Sequence, residues 1–156
     1  MRTSGLRGAR VLVTGGTGFI GSHLVRRLEK AGADVHLLVR RTSRGDLLGG
    51  LWARLARHEG DITDVSSLGA CLGKARPQLV FHLAREREEA AFEKEAAATL
   101  NLAAALRQVP SLKRWVRTAH SVRAKYGRGA DAHLARVLRE RYSLPVVTLE
   151  LYLVYG

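Results

Sequence analysis

The chain of 156 residues predicts an α/β fold: a doubly wound parallel sheet of about six strands in a single domain over residues 1–156, with no separate substrate domain. Three observations predict it. Apolar runs of strand length alternate with amphipathic runs of helix length from one end to the other. Three glycines at three-residue spacing, Gly15, Gly18 and Gly21, join the first strand to the first helix. No repeat, linker or low-complexity stretch interrupts the alternation.

The first strand is Val11-Leu12-Val13, running into Thr14. Gly15 can take the backbone angles of a tight turn, and Gly18 lacks the Cβ that would hold a phosphate off the main chain. Gly21 is expected to let the helix lie close on the strand. That helix, Phe19 to about Ala31, carries Ile20, Leu24, Val25 and Leu28 on one face. Its unpaired N–H groups and positive dipole end point at the turn, so an anion there needs no cationic side chain. After Ala31-Gly32-Ala33 the second strand, Val35 to Val39, completes a βαβ unit of the kind that binds a dinucleotide.

A polar loop, Arg40 to Asp46, leads to a short helical piece around Leu47 to Trp52 and a third strand, Ala53 to His58, ending at Gly60-Asp61. A helix from about Val65 to Leu72 precedes the fourth strand, Leu79 to Leu83, which is entered past Pro77. The longest helix is expected from about Glu86 to Val109, where Pro110 stops it. Strand five reads Arg114 to Thr118, the last helix Ala130 to Tyr142, and strand six Val146 to Leu151. Right-handed crossovers place a nucleotide at the carboxyl ends of the first strands.

The formal charge of +12 is concentrated toward both ends of the chain, without a Lys/Arg block and with few aromatics to stack on bases, which argues against a nucleic-acid partner. No apolar run approaches the roughly 20 residues that span a bilayer, so no membrane partner is expected. The basic start lacks the apolar stretch of a signal peptide, and a cytoplasmic location is expected. Cys71 stands alone, which suggests neither a disulfide nor a metal site, and it reads as a small apolar helix residue.

Five separated motifs, TGGTGFIG at 14–21, GDITD at 60–64, VFHLA at 80–84, TLNLAAAL at 99–106 and VVTLELYLVYG at 146–156, together resemble the extended short-chain dehydrogenase/reductase family. These are the NAD-dependent epimerase/dehydratases, which act largely on nucleotide sugars. The resemblance covers about residues 9–156. It implies a Rossmann cofactor domain alone, because family members continue past the closing VYG with a region that binds the sugar nucleotide. It also implies that Gly15, Thr17, Gly18, Phe19, Ile20 and Gly21 hold the cofactor. Asp61 would contact the adenine with Ile62 beside it, and Leu83 and Ala84 would lie along the cofactor. His82, taken by itself, reads as a core histidine.

At the end of the second strand, NAD enzymes place a carboxylate on the ribose hydroxyls; here the residues are Val39-Arg40-Arg41-Thr42-Ser43-Arg44, with no carboxylate. A guanidinium fork at Arg40 or Arg41, with hydroxyls from Thr42 and Ser43, suits a 2′-phosphate, so NADP is expected ahead of NAD. The segment is similar to the corresponding loop of GDP-mannose dehydratases. Family catalysis uses a Ser or Thr after strand five, then a Tyr with a Lys four residues on, whose charge lowers the tyrosine pKa. Thr118 or Ser121 supplies the hydroxyl and Tyr126 is the best tyrosine, but Ala130 stands where the lysine is expected. An alternative alignment makes Tyr126 a noncatalytic loop tyrosine. The chain is therefore expected to be an NADP(H)-binding oxidoreductase or epimerase/dehydratase relative with an incomplete Tyr-Lys site, or a noncatalytic cofactor-binding module. Family dimers pair two long helices, which implies a homodimer through 86–109 and 130–142.

Overall fold

The computed structural model describes residues 5–85, 92–120 and 129–151. Six strands, all parallel, make one sheet in the order β3-β2-β1-β4-β5-β6. They are β1 (Arg10–Thr14), β2 (Asp34–Val39), β3 (Ala56–Glu59), β4 (Leu79–His82), β5 (Arg114–His120) and β6 (Val146–Leu151). The helices are α1 (Phe19–Lys30), α2 (Leu51–Arg54), α3 (Val65–Ala75), α4 (Phe92–Leu106) and α5 (Gly129–Glu140), with a 3-10 turn at Asp46–Leu48. This is the doubly wound Rossmann arrangement. The chain winds outward from β1 to β3, crosses back to β4 beside β1, and continues to β6, so a crevice opens where β1 and β4 part.

β1 is apolar throughout because it is buried on both sides. Val11 and Val13 pack with Val25 and Leu28 of α1 and with Val35 and Leu37 of β2. Leu12 faces the other way, into a larger core with Val80, Trp115 and Val146 from the sheet and Leu68, Leu72, Leu102, Leu106 and Leu138 from α3, α4 and α5. Cys71 lies in this second core, where burial pushes its thiol up to about 11, in keeping with its reading as an apolar residue. Val147 and Leu149, alternating with Val146 along β6, remain exposed. No described helix is long and apolar enough to cross a membrane.

Several boundaries differ from expectation. β3 starts at Ala56 rather than Ala53 because Leu51–Arg54 continue as a helical turn, and as an edge strand it needs no unbroken apolar run. α3 runs on to Ala75, which is buried, and ends on Arg76 in the left-handed region (φ 41) just ahead of Pro77. β4 ends at His82 and β5 reaches His120. Of the expected helix 86–109, residues 86–91 lie outside the described residues, and 107–109 form turns after α4. Ile20 does not join the apolar face of α1: Val25 and Leu28 are buried, whereas Ile20 and Phe19 are exposed at the start of the helix.

The helices α1 and α3 start differently. Asp64 caps α3, its carboxylate accepting the N–H groups of Ser66 (2.9 Å) and Ser67 (3.2 Å). Gly18 begins α1 with no side-chain cap and no acidic residue in the first turn. Replacing an acidic N-cap costs about 1 kcal/mol. Asp64→Ala is therefore expected to lower the urea midpoint by that equivalent with an unchanged m-value, measured by equilibrium unfolding.

Candidate functional site

β1 ends at Thr14, and the chain turns out of the sheet at Gly15 with φ +72. The turn is closed by the Gly18 N–H donating to the Gly15 carbonyl (3.1 Å), and α1 starts with the Ser22 N–H donating to the Gly18 carbonyl (2.8 Å). By helix geometry the N–H groups of Phe19, Ile20 and Gly21 have no intrahelical acceptor, and they point outward with the positive end of the dipole.

The glycines of the turn serve three different purposes. A Cβ on Gly15 would sit 2.6 Å from both the Leu83 carbonyl carbon and the Ala84 nitrogen, so the turn lies directly against the exit of β4. A Cβ on Gly21 would overlap the Gly15 carbonyl, so its close approach is to the turn itself and not, as expected, to the strand. A Cβ on Gly18 would meet only the Gly15 oxygen, at 3.4 Å, and Gly18 is exposed. That glycine borders open space, as a cradle for a ligand requires. Gly16, which the spacing argument passed over, is buried with its Cα against Leu37 and Val25; it lets α1 settle on β2. Thr17 stands half-buried between them.

The other wall of the crevice is β4 together with Leu83 and Ala84. Thr14 Oγ1 lies 2.7 Å from His82 Nδ1 and accepts the Ala84 N–H at 3.3 Å, while the Leu83 N–H donates to the Thr14 carbonyl (3.0 Å). Both groups of the hydroxyl are satisfied when Thr14 donates to Nδ1, which places the imidazole proton on Nε2. Burial, with the charges of Arg117 and Arg85 adding to it, pushes His82 down to about 3 and keeps it neutral. The core-histidine reading of His82 therefore holds, with a polar partner that sequence reasoning missed.

These groups belong to a row of polar residues, buried at Thr14, His82 and Arg117 and half-buried at Thr148. The register pairs Thr14 with His82, His82 with Arg117 and Arg117 with Thr148, so one polar residue from each of β1, β4, β5 and β6 faces the α3–α4–α5 side near the carboxyl ends. Two residues earlier on the same strands stand Leu12, Val80, Trp115 and Val146, all in the core. Arg117 is 3% exposed. Thr118 faces the opposite side and is also buried. Ser121 and Tyr126 lie outside the described residues.

Toward β2 and β3 the structure assembles a second group. Asp61 Oδ1 accepts the N–H (2.8 Å) and hydroxyl (2.7 Å) of Thr63, and its Oδ2 lies 3.6 Å from Arg40 Nε. The Thr63 hydrogen bonds, with Arg40 adding to them, hold the Asp61 carboxyl below the usual carboxylate range. The end of β2 carries no carboxylate of its own, but one arrives from the end of β3. Ser43 Oγ accepts the Arg40 N–H (3.0 Å) and so shapes the loop, whereas Arg41 and Thr42 are exposed. Asn101 of α4 donates from Nδ2 to the Thr63 carbonyl (3.1 Å), tying the GDITD loop to the TLNLAAAL helix. The side chain of Ile62 is buried in the core under α3 and α4, which gives it a packing role. The described residues hold no cluster of metal-ligating side chains.

Comparisons with known proteins agree with this geometry. A family model described as the NAD dependent epimerase/dehydratase family matches residues 11–131. The dTDP-4-dehydro-6-deoxy-D-allose reductase of Streptomyces bikiniensis is 40% identical over 99 residues, or 60% of this chain and 29% of that protein. An epimerase of Methanothermobacter thermautotrophicus shares the fold with a TM-score of 0.80 at 22% identity, over 99% of this chain and 54% of its own. The Bordetella bronchiseptica enzyme WbmF, solved in complex with NAD+ and UDP, gives a TM-score of 0.78 at 27% identity, over 98% of this chain and 52% of its own. The chain thus spans about half the length of these structures and under a third of the reductase.

A side chain at positive φ costs about 1–3 kcal/mol before any overlap is counted. Gly15→Ala is expected to lower unfolding free energy by about 3 kcal/mol or more, and Gly18→Ala by less than about 1 kcal/mol, in denaturant titrations. His82 gives a pH-dependent signature. Below its ordinary value of 6.5 the unfolded chain binds a proton that the folded chain refuses until about 3, so its contribution to stability is complete above 6.5 and declines as pH falls through that window. His82→Asn removes this proton, and its stability deficit relative to wild type is expected to shrink by on the order of 3 kcal/mol between pH 7 and pH 4.

Proposed function

Because the chain belongs to the NAD-dependent epimerase/dehydratase family, we propose that the crevice between β1 and β4 takes a nicotinamide dinucleotide, with its pyrophosphate on the N–H groups of Phe19, Ile20 and Gly21. The observation that carries this reading is the contrast between helix starts. α3 satisfies its own first N–H groups through Asp64, whereas α1 opens on an exposed glycine with neither cap nor acidic neighbour. An anion is the complement such a start lacks.

The adenosine end would lie toward β2 and β3, where Asp61 and the loop 40–44 stand. NADP(H) is the preferred form: the end of β2 offers guanidinium and hydroxyl donors, which suit a phosphate, rather than the acceptor that ribose hydroxyls want. Arg40 directs its Nε to Asp61, so exposed Arg41, with Thr42 beside it, is the stronger phosphate ligand. The bound nicotinamide would supply hydride transfer. Tyr126 would move the proton, with Thr118 or Ser121 polarising the substrate oxygen. A second reading, a cofactor-binding module without turnover, is favoured by Ala130 at the lysine position. The proposal includes a cytoplasmic homodimer joined through 86–109 and 130–142. The outer face of α4 presents Ala97, Leu100 and Ala104, whereas α5 presents His133, Arg136 and Arg139, so α4 would form the closer contact.

Calorimetric titration with NADP(H) and NAD(H) tests the reading. NADP(H) is expected to bind more tightly, and Arg41→Ala to weaken it about tenfold or more, the loss of one charge-assisted hydrogen bond, while changing NAD(H) affinity little. Gly18→Ala, tolerated by the fold, is expected to abolish binding of both. Absence of heat with all four nucleotides would overturn the proposal. NADPH oxidation against a panel of carbonyls, with Tyr126→Phe as control, separates the enzyme from the module.

A further inference from the structure

The Thr14–His82 pair occupies the point where two neighbouring parallel strands separate, and it does more than satisfy two buried groups. Up to Thr14 the ladder between β1 and β4 is held by main-chain bonds, the last of them from the Leu83 N–H to the Thr14 carbonyl. One residue later the main chain of β1 has turned away into Gly15. The Ala84 N–H then pairs with the Thr14 hydroxyl instead, and that hydroxyl gives its own proton to His82 Nδ1 at 2.7 Å. Gly15 lies against this same Leu83–Ala84 peptide with no room for a Cβ. From Gly15 the connection continues through its carbonyl to the Gly18 N–H, and Gly18 is the first residue of the α1 cap.

Resting on the pyrophosphate reading above, we propose that His82 is a positioning residue for the nucleotide: its Nδ1 orients the Thr14 hydroxyl as acceptor for Ala84, and this clasp sets the place of the Gly15–Gly21 turn. His82 itself touches no ligand in this scheme. What it contributes is an acceptor in a fixed direction. Only the neutral imidazole can do this, since protonation turns Nδ1 into a donor and takes away the acceptor that fixes the direction of the Thr14 O–H. The groups around His82 maintain that form: Arg117 beside it on β5 and Arg85 beyond β4 are both cationic, and the imidazole is buried. Arg85 is in turn held by Glu95 of α4 at 3.4 Å.

The test compares variants that keep or remove the acceptor, reading both nucleotide affinity and amide hydrogen exchange. His82→Asn places a carbonyl oxygen near the position of Nδ1, and Thr14→Ser keeps the hydroxyl. His82→Leu and Thr14→Val remove one partner each. Expected are dissociation constants for NADP(H) raised about tenfold in His82→Leu and in Thr14→Val, with no further rise in the double variant, and within about threefold of wild type in His82→Asn and Thr14→Ser. Exchange at the Ala84 amide and across Gly15–Gly21 is expected to quicken in the first pair only. Thermal midpoints for every variant restrict the comparison to folded protein, and Thr14→Val stands in if His82→Leu fails to fold. Equal loss in His82→Asn and His82→Leu, or additive losses in the double variant, would overturn the proposal. If wild type itself bound no nucleotide, the pyrophosphate reading would fail; unchanged exchange at Ala84 in His82→Leu would instead sink the clasp whatever the ligand.

Discussion

The site depends on one steric constraint: the main chain at Gly15 and the peptide joining Leu83 to Ala84 touch with no side chain between them. Parallel strands that part to opposite faces of a sheet leave a wedge at their carboxyl ends, and the depth of that wedge is set by how closely the two backbones run before separating. Here they run together until the first atom past Thr14. The turn is thereby braced from below by β4, from within by the Gly21 contact on the Gly15 carbonyl, and from the side by Gly16 on Leu37 and Val25. Four glycines in one short segment would be a flexible liability in isolation. Packed this way, three of them are held fast, and the N–H groups of α1 are presented from a rigid mount.

Electrostatics organises the same region on a larger scale. The chain carries a large positive excess, yet the structure sorts its cations by environment. Arg117 is enclosed in the sheet beside a histidine kept neutral, Arg85 is matched to Glu95, and Arg40 is matched to Asp61. Arg41 and Arg44 are exposed in the loop that follows β2. A field built from such groups favours anionic ligands at the mouth while leaving the floor without a mobile charge. The Asp34–His36–His58 cluster on β2 and β3, with His36 Nδ1 2.9 Å from His58 Nε2, stands apart from this arrangement. There burial, with His36 and Lys74 adding to it, lowers the His58 pKa.

The fold is legible because β1, β2, β4 and β6 are mostly apolar runs of strand length separated by helix-length stretches, and because the spacing of Gly15, Gly18 and Gly21 joins a strand to a helix in only one common way. The third strand reads too early because Ala53, Arg54 and Leu55 carry no local mark that separates the end of a helical turn from the start of an edge strand over so few residues. Pairings between distant segments are not legible. Arg40 meets Asp61 because β2 and β3 are in register from His36 with Ala56 to Val39 with Glu59, so the chain leaves both strands side by side. Thr14 meets His82 through the register of β1 with β4. Register is a property of the assembled sheet. It turns two unremarkable motif residues into partners, and no spacing within either motif announces it. Asp64, by contrast, carries a readable cap signal two residues before Ser66, which a reading of the motif alone passes over.

The unequal packing of the three spaced glycines has a consequence for how lineages of this architecture diverge. Gly15 and Gly21 are locked by sterics, so purifying selection acts on them whether or not anything is bound. Gly18 carries no such steric demand, since the scaffold accepts a methyl there. A descendant of this domain could carry a methyl at the middle position with its architecture intact, whereas a methyl at either flanking position would force the turn apart.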